Sequence, residues 1–234
     1  MIMQDTRIYS LKKDINSKNV QNFYNSRSKM IDSDLHAVML QPKNSRLPIQ
    51  RDEFEKNIIL NNLTFKKNSK ILDIGCGVGR IATIIPNEVK YYGLDFTEEF
   101  INIAKQKFQD NNNFTFHHVD ITNFQNYQTL HEKKFNIIFI VGILIYLNDS
   151  VIEDILNNLL KFLNKNKILQ VYIRESISLL EERLTLDNFY SDTLEDDYSA
   201  IYRTDQEYKD LFKIFEDIGL YLSKEILISE AICH

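Results

Sequence analysis

Ile71-Leu-Asp-Ile-Gly-Cys-Gly-Val-Gly-Arg-Ile-Ala82, written ILDIGCGVGRIA, gathers three of the chain's six glycines into five residues. The apolar run KILDI (70–74) predicts a strand, GCGVG (75–79) a turn and RIATII (80–85) the start of a helix. Strand, glycine turn and helix in that order form the first βα junction of a doubly wound parallel sheet, whose ligands lie at the carboxyl ends of the strands. Glycine lets backbone approach a ligand closely, and a helix N-terminus adds a partial positive field. A dinucleotide loop reads GxGxxG, but counted from Gly75 the sixth place is Arg80. The pattern is therefore GxGxG, with Asp73 two residues ahead. A pyrophosphate disfavours an adjacent carboxylate, whereas a zwitterionic amino acid needs a partner for each charge. Asp73 suits its ammonium group and the loop amides its anionic end.

Outward from the turn, β-branched runs alternate with helical segments: KYYGLDF (90–96), FTFHHV (114–119), FNIIFIV (135–141) and KILQVYI (167–173). This alternation predicts βαβ units. Asp95 ends the second strand 22 residues after Asp73, at the spacing of a ribose-binding acid. Asp120 ends the third, where it suits an exocyclic amine such as that of adenine, and Phe96 and Ile121 after these acids suit the faces of a purine. Thr97 is placed to cap a helix, and Ser150/Glu153 and Thr204/Glu207 have capping-box spacing, with Gly219 set to end the last helix. Residues 1–65 carry helical patterns interrupted by Pro42 and Pro48, and LYLSKEILIS (220–229) reads as a closing strand.

Taken together, DIGCGVG, GLD, VDI and FNIIFIVGILIYL resemble the motifs of class I S-adenosylmethionine-dependent methyltransferases, closely over about residues 65–174 and in layout elsewhere. The resemblance implies an α/β, Rossmann-like, doubly wound and mostly parallel sheet of seven strands, or six if the closing strand is missing. It implies one domain over 1–234: an N-terminal helical cap (1–65), a cofactor core (66–174), an active-site rim insertion (175–203), and a closing helix and strand (204–234). By the same resemblance S-adenosylmethionine is the cofactor. Asp73, Gly75, Cys76, Gly77 and Gly79 line its methionine part, Asp95 the ribose, Asp120 and Ile121 the adenine, with Phe96 on the purine, and Val141 and Gly142 close the methionine side. FYNSRSKM looks like the aromatic and basic cap segment of small metabolite methyltransferases, which puts Tyr24 on the cofactor and Arg27 near its carboxylate. Asn136 stands where the family often has Asp, at a position that usually starts the strand.

The segment 174–204 leaves a strand's carboxyl end, so it belongs to the rim, where Arg174, Tyr202 and Arg203 are candidates for binding an anionic acceptor. Arg80 is expected in the first helical turn, in a packing or solvent-facing role. No His, Asp and Glu cluster has metal-ligand spacing, and of the five histidines His36 in the cap is the candidate base. The net charge of −5 argues against a nucleic-acid partner, and no tract of about 18 apolar residues suggests a membrane span. Two cysteines far apart, Cys76 and Cys233, fit a reducing cytoplasm. The expected protein is a monomer or homodimer that methylates an O or N atom of a small metabolite, phosphorylated or a precursor of sugars and surface glycans. The competing reading is a catalytically silent cofactor-binding subunit. RNA or protein methylation is disfavoured by the acidic balance and by VGIL where an NPPY-like tetrapeptide would stand, and a nucleotide-dependent oxidoreductase by Arg80.

Overall fold

The computed structural model describes residues 7–29, 34–40, 46–126, 130, 134–164, 169–222, 224 and 225. After the short β1 (Ile8–Tyr9) come α1 (Ser17–Arg27), α2 (Asp34–Met39) and α3 (Leu47–Asn62). The central sheet follows, with β2 (Lys70–Ile74), β3 (Lys90–Asp95), β4 (Phe114–His118), β5 (Ile137–Val141) and β6 (Gln170–Arg174). All its pairings are parallel, in the order β4-β3-β2-β5-β6. Chain direction across the sheet reverses between β2 and β5, so the crevice at their carboxyl ends is the expected ligand position.

Side-chain alternation sorts the core into two layers. Ile71, Tyr91, Ile137 and Phe139 pack with Ile59 of α3 and with Ile101 and Ala104 of α4 (Glu98–Lys107). Leu72, Ile74, Ile138 and Ile140 pack with Ile152, Ile155, Leu156 and Leu159 of α5 (Asp149–Leu159), and with Tyr208 and Phe215 of α6 (Asp205–Glu216). Each fully buried aliphatic or aromatic side chain contributes about 1.5–3 kcal/mol, so the continuous runs read from the sequence correspond to strands covered on both faces.

The sheets depart from expectation in two ways. The parallel sheet has five strands among the described residues, not seven or six. Leu220–Leu222 leave α6 as coil, and most of the expected closing strand lies outside the described residues. The rim insertion is itself a β-hairpin, β7 (Leu184–Ser191) with β8 (Asp196–Tyr202), which joins β1 in a separate antiparallel sheet. A register shift between Leu186 and Phe189, with Asn188 at φ +53°, interrupts the alternation that would have marked β7 as a strand. Helix α1 covers this sheet, setting Val20 against Ile201 and Phe23 against Tyr198.

One carboxylate fastens the hairpin to the core. Arg203, wholly buried at the end of β8, donates to Asp149 Oδ1 from Nε at 2.9 Å and Nη2 at 2.7 Å. It also donates to the carbonyls of Leu144 and Leu147, at 2.8 and 2.7 Å. Arg183 at the entry to β7 reaches Asp149 at 2.9 Å, and Lys12 does so at 2.8 Å. Three cations hold the Asp149 carboxyl well below the usual range, against the opposing effect of burial. Arg203 is thus a tie between elements and not an acceptor ligand, because its donors are engaged within the fold.

The same junction displaces a predicted cap. Helix α5 begins at Asp149 with Asn148 as N-cap residue, and the Asn148 side chain exchanges two hydrogen bonds with the backbone of Ile15, at 2.9 and 3.1 Å, instead of capping the helix. Ser150 therefore lies inside the helix and its box with Glu153 does not form. The Thr204/Glu207 box does form, and Gly219 at φ +80° follows α6. Arg203→Met should lower the unfolding free energy by about 3 kcal/mol, since it leaves buried acceptors and a carboxylate short of a partner. Urea denaturation measures this, and an unchanged midpoint would show that the hairpin does not hang on this contact.

Candidate functional site

The glycine turn is built by hydrogen bonds from the end of β3. The amides of Gly75 and Cys76 both donate to the Leu94 carbonyl, at 2.8 and 2.9 Å. Gly77 N donates to Asp95 Oδ2 at 2.9 Å, and Gly79 N to the Cys76 carbonyl at 3.0 Å. Four turn donors are thereby engaged within the fold. That corrects the expectation that they receive the anionic end of a ligand, and it disfavours a pyrophosphate for the same reason. The helix expected next is a short 3-10 segment, Ile81–Ile84, which supplies little dipole field. Gly75 (φ +74°) also allows direct contact with the next loop, because a Cβ there would meet Ile143 Cγ2 at 2.2 Å.

The acids surround this turn. Asp73 is buried and accepts a hydrogen bond from the Tyr91 hydroxyl. Burial lifts its pKa to about 7, opposed by that hydrogen bond and by the charge of Arg80. Asp95 accepts from Gly77 N through one oxygen and from Thr97 N, at 2.8 Å, through the other. Burial raises its pKa and these two amides pull it back. Each Asp95 oxygen still has acceptor capacity, as a diol ligand requires. Thr97 is the N-cap residue of α4, yet its side chain makes no capping bond.

Asp120 accepts from Thr122 N and Oγ1 at 3.0 and 2.9 Å, which caps the 3-10 turn Ile121–Asn126, while Ile121 packs against the core. Cys76 lies on the core side of the turn, where a Cβ on Gly93 would meet its Sγ at 2.7 Å; burial pushes its thiol pKa well up. Its side chain fills space there.

On the far side of the crevice, Val141 packs against the core and Gly142, at φ +68°, turns the chain out of β5. The amides of Ile143 and Leu144 that follow both donate to Glu175 Oε1 at 2.9 Å. Glu175 Oε2 is buried and has no hydrogen-bond partner among the described residues. Burial lifts this carboxyl to about 7, against the pull of the two amides and Arg174.

The cap closes over these loops with aromatic rings. Tyr24 stands edge-on to Phe96, with centroids 5.9 Å apart, and edge-on to Tyr146, at 5.3 Å. The Tyr146 and Tyr198 hydroxyls are 3.2 Å apart, and those of Tyr198 and Tyr202 3.3 Å. Tyr24 and Tyr202, assigned by sequence to different ligands, thus belong to one cluster that spans cap, β5 loop and hairpin. Arg27 lies over the Phe23 ring at 5.8 Å and reaches the Ala37 carbonyl at 3.4 Å; burial lowers its pKa. His36 falls in α2, but its side chain lies outside the described residues.

Two acids that the sequence reading passed over organise the base of the site. Asp52 and Glu55 of α3 are buried and pair with Arg80 at 2.8 and 2.7 Å. Arg174 also pairs with Glu55, at 3.2 Å, so it faces the cap helix instead of serving as a free rim cation. Arg80 accordingly is neither in an α-helical turn nor solvent-facing. The available signal was the shared face of Asp52, Glu55 and Ile59, spaced three and four residues apart on one helix.

Residues 65–217 match the family model described as a methyltransferase domain, and the chain belongs to that family. Over 68 residues it is 32% identical to a probable cobalt-precorrin-6B C(15)-methyltransferase (decarboxylating) of Saccharolobus solfataricus, a match that spans 27% of this chain and 34% of that one. The fold is similar to a Leishmania major S-adenosylmethionine-dependent methyltransferase, with a TM-score of 0.63 and 16% identity over 91% of this chain and 80% of the other. It is also similar to Haemonchus contortus phosphoethanolamine N-methyltransferase 1, solved with phosphoethanolamine and S-adenosylhomocysteine, with a TM-score of 0.61 and 20% identity. That likeness covers 83% of this chain and 39% of the Haemonchus one. No helix among the described residues is long and apolar enough to cross a membrane.

Burial of the two carboxyls has a sign. Glu175 protonates near 7 in the fold against 4.5 when free, so between those values the folded chain holds a proton that the unfolded chain has lost. Its contribution to stability is fully present below about pH 4.5 and is lost as pH rises toward 7. Glu175→Gln removes this titration and keeps an oxygen for the two amides. The variant should gain on wild type by up to ~1.4 kcal/mol per pH unit across that window. Parallel urea titrations at pH 5, 6 and 7 read the effect, and a pH-independent difference would refute it.

Proposed function

We propose that the chain transfers a methyl group from S-adenosylmethionine to an O or N atom of a small metabolite. The observation that supports this best is the glycine turn, whose amides are held inward on Leu94 and Asp95 while Asp73 lies beneath it. A site with inward donors and adjacent carboxyls suits an ammonium group and a diol better than phosphates. Asp95, with lone pairs to spare on both oxygens, would hold the ribose hydroxyls. Asp73 and the turn carbonyls would face the amino-acid end, Phe96 and Asp120 the nucleoside, and Gly142 the sulfur.

The sulfonium supplies an electrophilic methyl group, and transfer is an in-line displacement that needs no metal. The protein's task is then orientation and exclusion of water, which in favourable cases contributes ~7–11 kcal/mol. Tyr24, Tyr146, Tyr198 and Tyr202 form the wall best placed for that task, between the cofactor loops and the hairpin. Their hydroxyls titrate above the ordinary tyrosine range because of burial, so at neutral pH they serve as neutral hydrogen-bonding groups and not as bases. An amine that arrives deprotonated fits such a wall without further help, and a hydroxyl acceptor needs a base besides. A phosphorylated or sugar-linked metabolite is the acceptor class this reading carries forward from the sequence. The Haemonchus relative's phosphoethanolamine is one such compound, on a different chain.

Calorimetry with S-adenosylhomocysteine is the direct test: wild type should bind it with 1:1 stoichiometry, and absence of binding would reject the reading. Asp95→Ala should weaken binding by about 1.5–3 kcal/mol, the range for a hydrogen bond to a charged group. Unchanged affinity in that variant would move the ribose elsewhere.

A further inference from the structure

Glu55 lies in the cap helix, outside every motif of the cofactor core, yet both loops of the crevice converge on it. Its Oε2 accepts from Arg80 Nη2 at 2.7 Å, and Arg80 directly follows Gly79, the last glycine of the turn. The same carboxylate accepts from Arg174 Nε, through Oε1, at 3.2 Å and from Arg174 Nη2, through Oε2, at 3.3 Å. The Tyr172 hydroxyl adds a longer contact, at 3.4 Å.

Arg174 in turn supports the second loop. Its carbonyl accepts from Gly142 N at 2.8 Å, and its guanidinium lies so close beneath Gly142 that a Cβ there would meet Nη1 at 3.0 Å. The two loops touch directly where Gly75 meets Ile143. One carboxylate of the cap helix, with a basic group on either side, thus ties the two loops together a second time. Glu55 is ionised for this purpose: the charges of Arg174 and Arg80 outweigh burial and hold its pKa below the usual carboxylate range. Asp52 differs in reach, because it pairs with Arg80 and Lys56 and does not extend to Arg174.

We infer that Glu55 is a positioning residue for the amino-acid end of the methyl donor, fixing the gap between the Gly75–Gly79 turn and the Gly142 loop. The inference rests on the reading of the crevice as an S-adenosylmethionine site. It assigns to the cap helix a share of donor selectivity that the core motifs alone do not contain. A tie that only supported folding would affect all ligands of the crevice alike. A tie that sets this particular gap affects ligands with an amino-acid tail and spares those without one.

The test compares S-adenosylhomocysteine with 5′-methylthioadenosine, which has the same nucleoside and thioether but lacks the amino-acid portion. In Glu55→Gln the dissociation constant for S-adenosylhomocysteine should rise about tenfold, while that for methylthioadenosine stays within about twofold. Arg174→Met, at a side chain that is 35% exposed, should give the same split and serves if the Glu55 variant does not fold. In the double variant the two losses should combine to less than their product, because they remove one contact. Equal weakening of both ligands, or no weakening of either, overturns the inference. Failure of wild type to bind either ligand instead removes the cofactor reading on which it rests.

Discussion

The hold of β3 on the glycine turn is the constraint on which the rest of the site depends. One carbonyl, that of Leu94, accepts two successive amides, and the next residue's carboxylate accepts a third. This arrangement stops β2 at Ile74 and bends the chain over the neighbouring strand. It brings Asp95, its lone pairs not exhausted, within one hydrogen bond of Gly77. Glycine is needed at Gly75 because the loop leaving β5 passes where a side chain would be. The turn is thus shaped by its neighbours on both sides, and the crevice between β2 and β5 is a consequence of that shape.

Around the crevice the molecule uses charge where its core uses apolar contact. Asp149 gathers three cations to hold the hairpin, and Glu55 gathers two to hold the loops. Partly buried pairs of this kind contribute little net stability compared with apolar packing, but they are costly to break and specific in direction. Such ties suit a site whose walls come from distant parts of the chain. The tyrosine cluster shows the result, since Tyr24, Tyr146 and Tyr198 belong to three separate segments and meet ring to edge or hydroxyl to hydroxyl.

The parallel strands were legible because each is a short apolar run with both faces covered, and their observed bounds differ from the sequence reading by three residues at most. Asp73, Asp95 and Asp120 were legible as strand-end acids for the same reason. The hairpin was not, because Asn188 and the register shift at Leu186/Phe189 break its alternation and its partner β1 lies far away in sequence. Arg174 and Arg203 misled in the opposite sense. A basic residue at a strand end looks the same in sequence whether it faces a ligand or a carboxylate supplied by another element. Glu55 and Asp149 are those carboxylates.

What the sequence determined by itself is local and periodic: the βα junction at ILDIGCGVGRIA, the order of strands and acids, the absence of the dinucleotide glycine at Arg80, and through these the methyltransferase resemblance. Tertiary structure decided which way each polar group faces. It turned the loop amides inward, buried Asp73 under Tyr91, set Cys76 against Gly93, and spread a single carboxylate of α3 across two loops. The physical reason is that a hydrogen bond or ion pair needs two partners within about 3 Å, and sequence spacing specifies such proximity only within one helix, strand or turn.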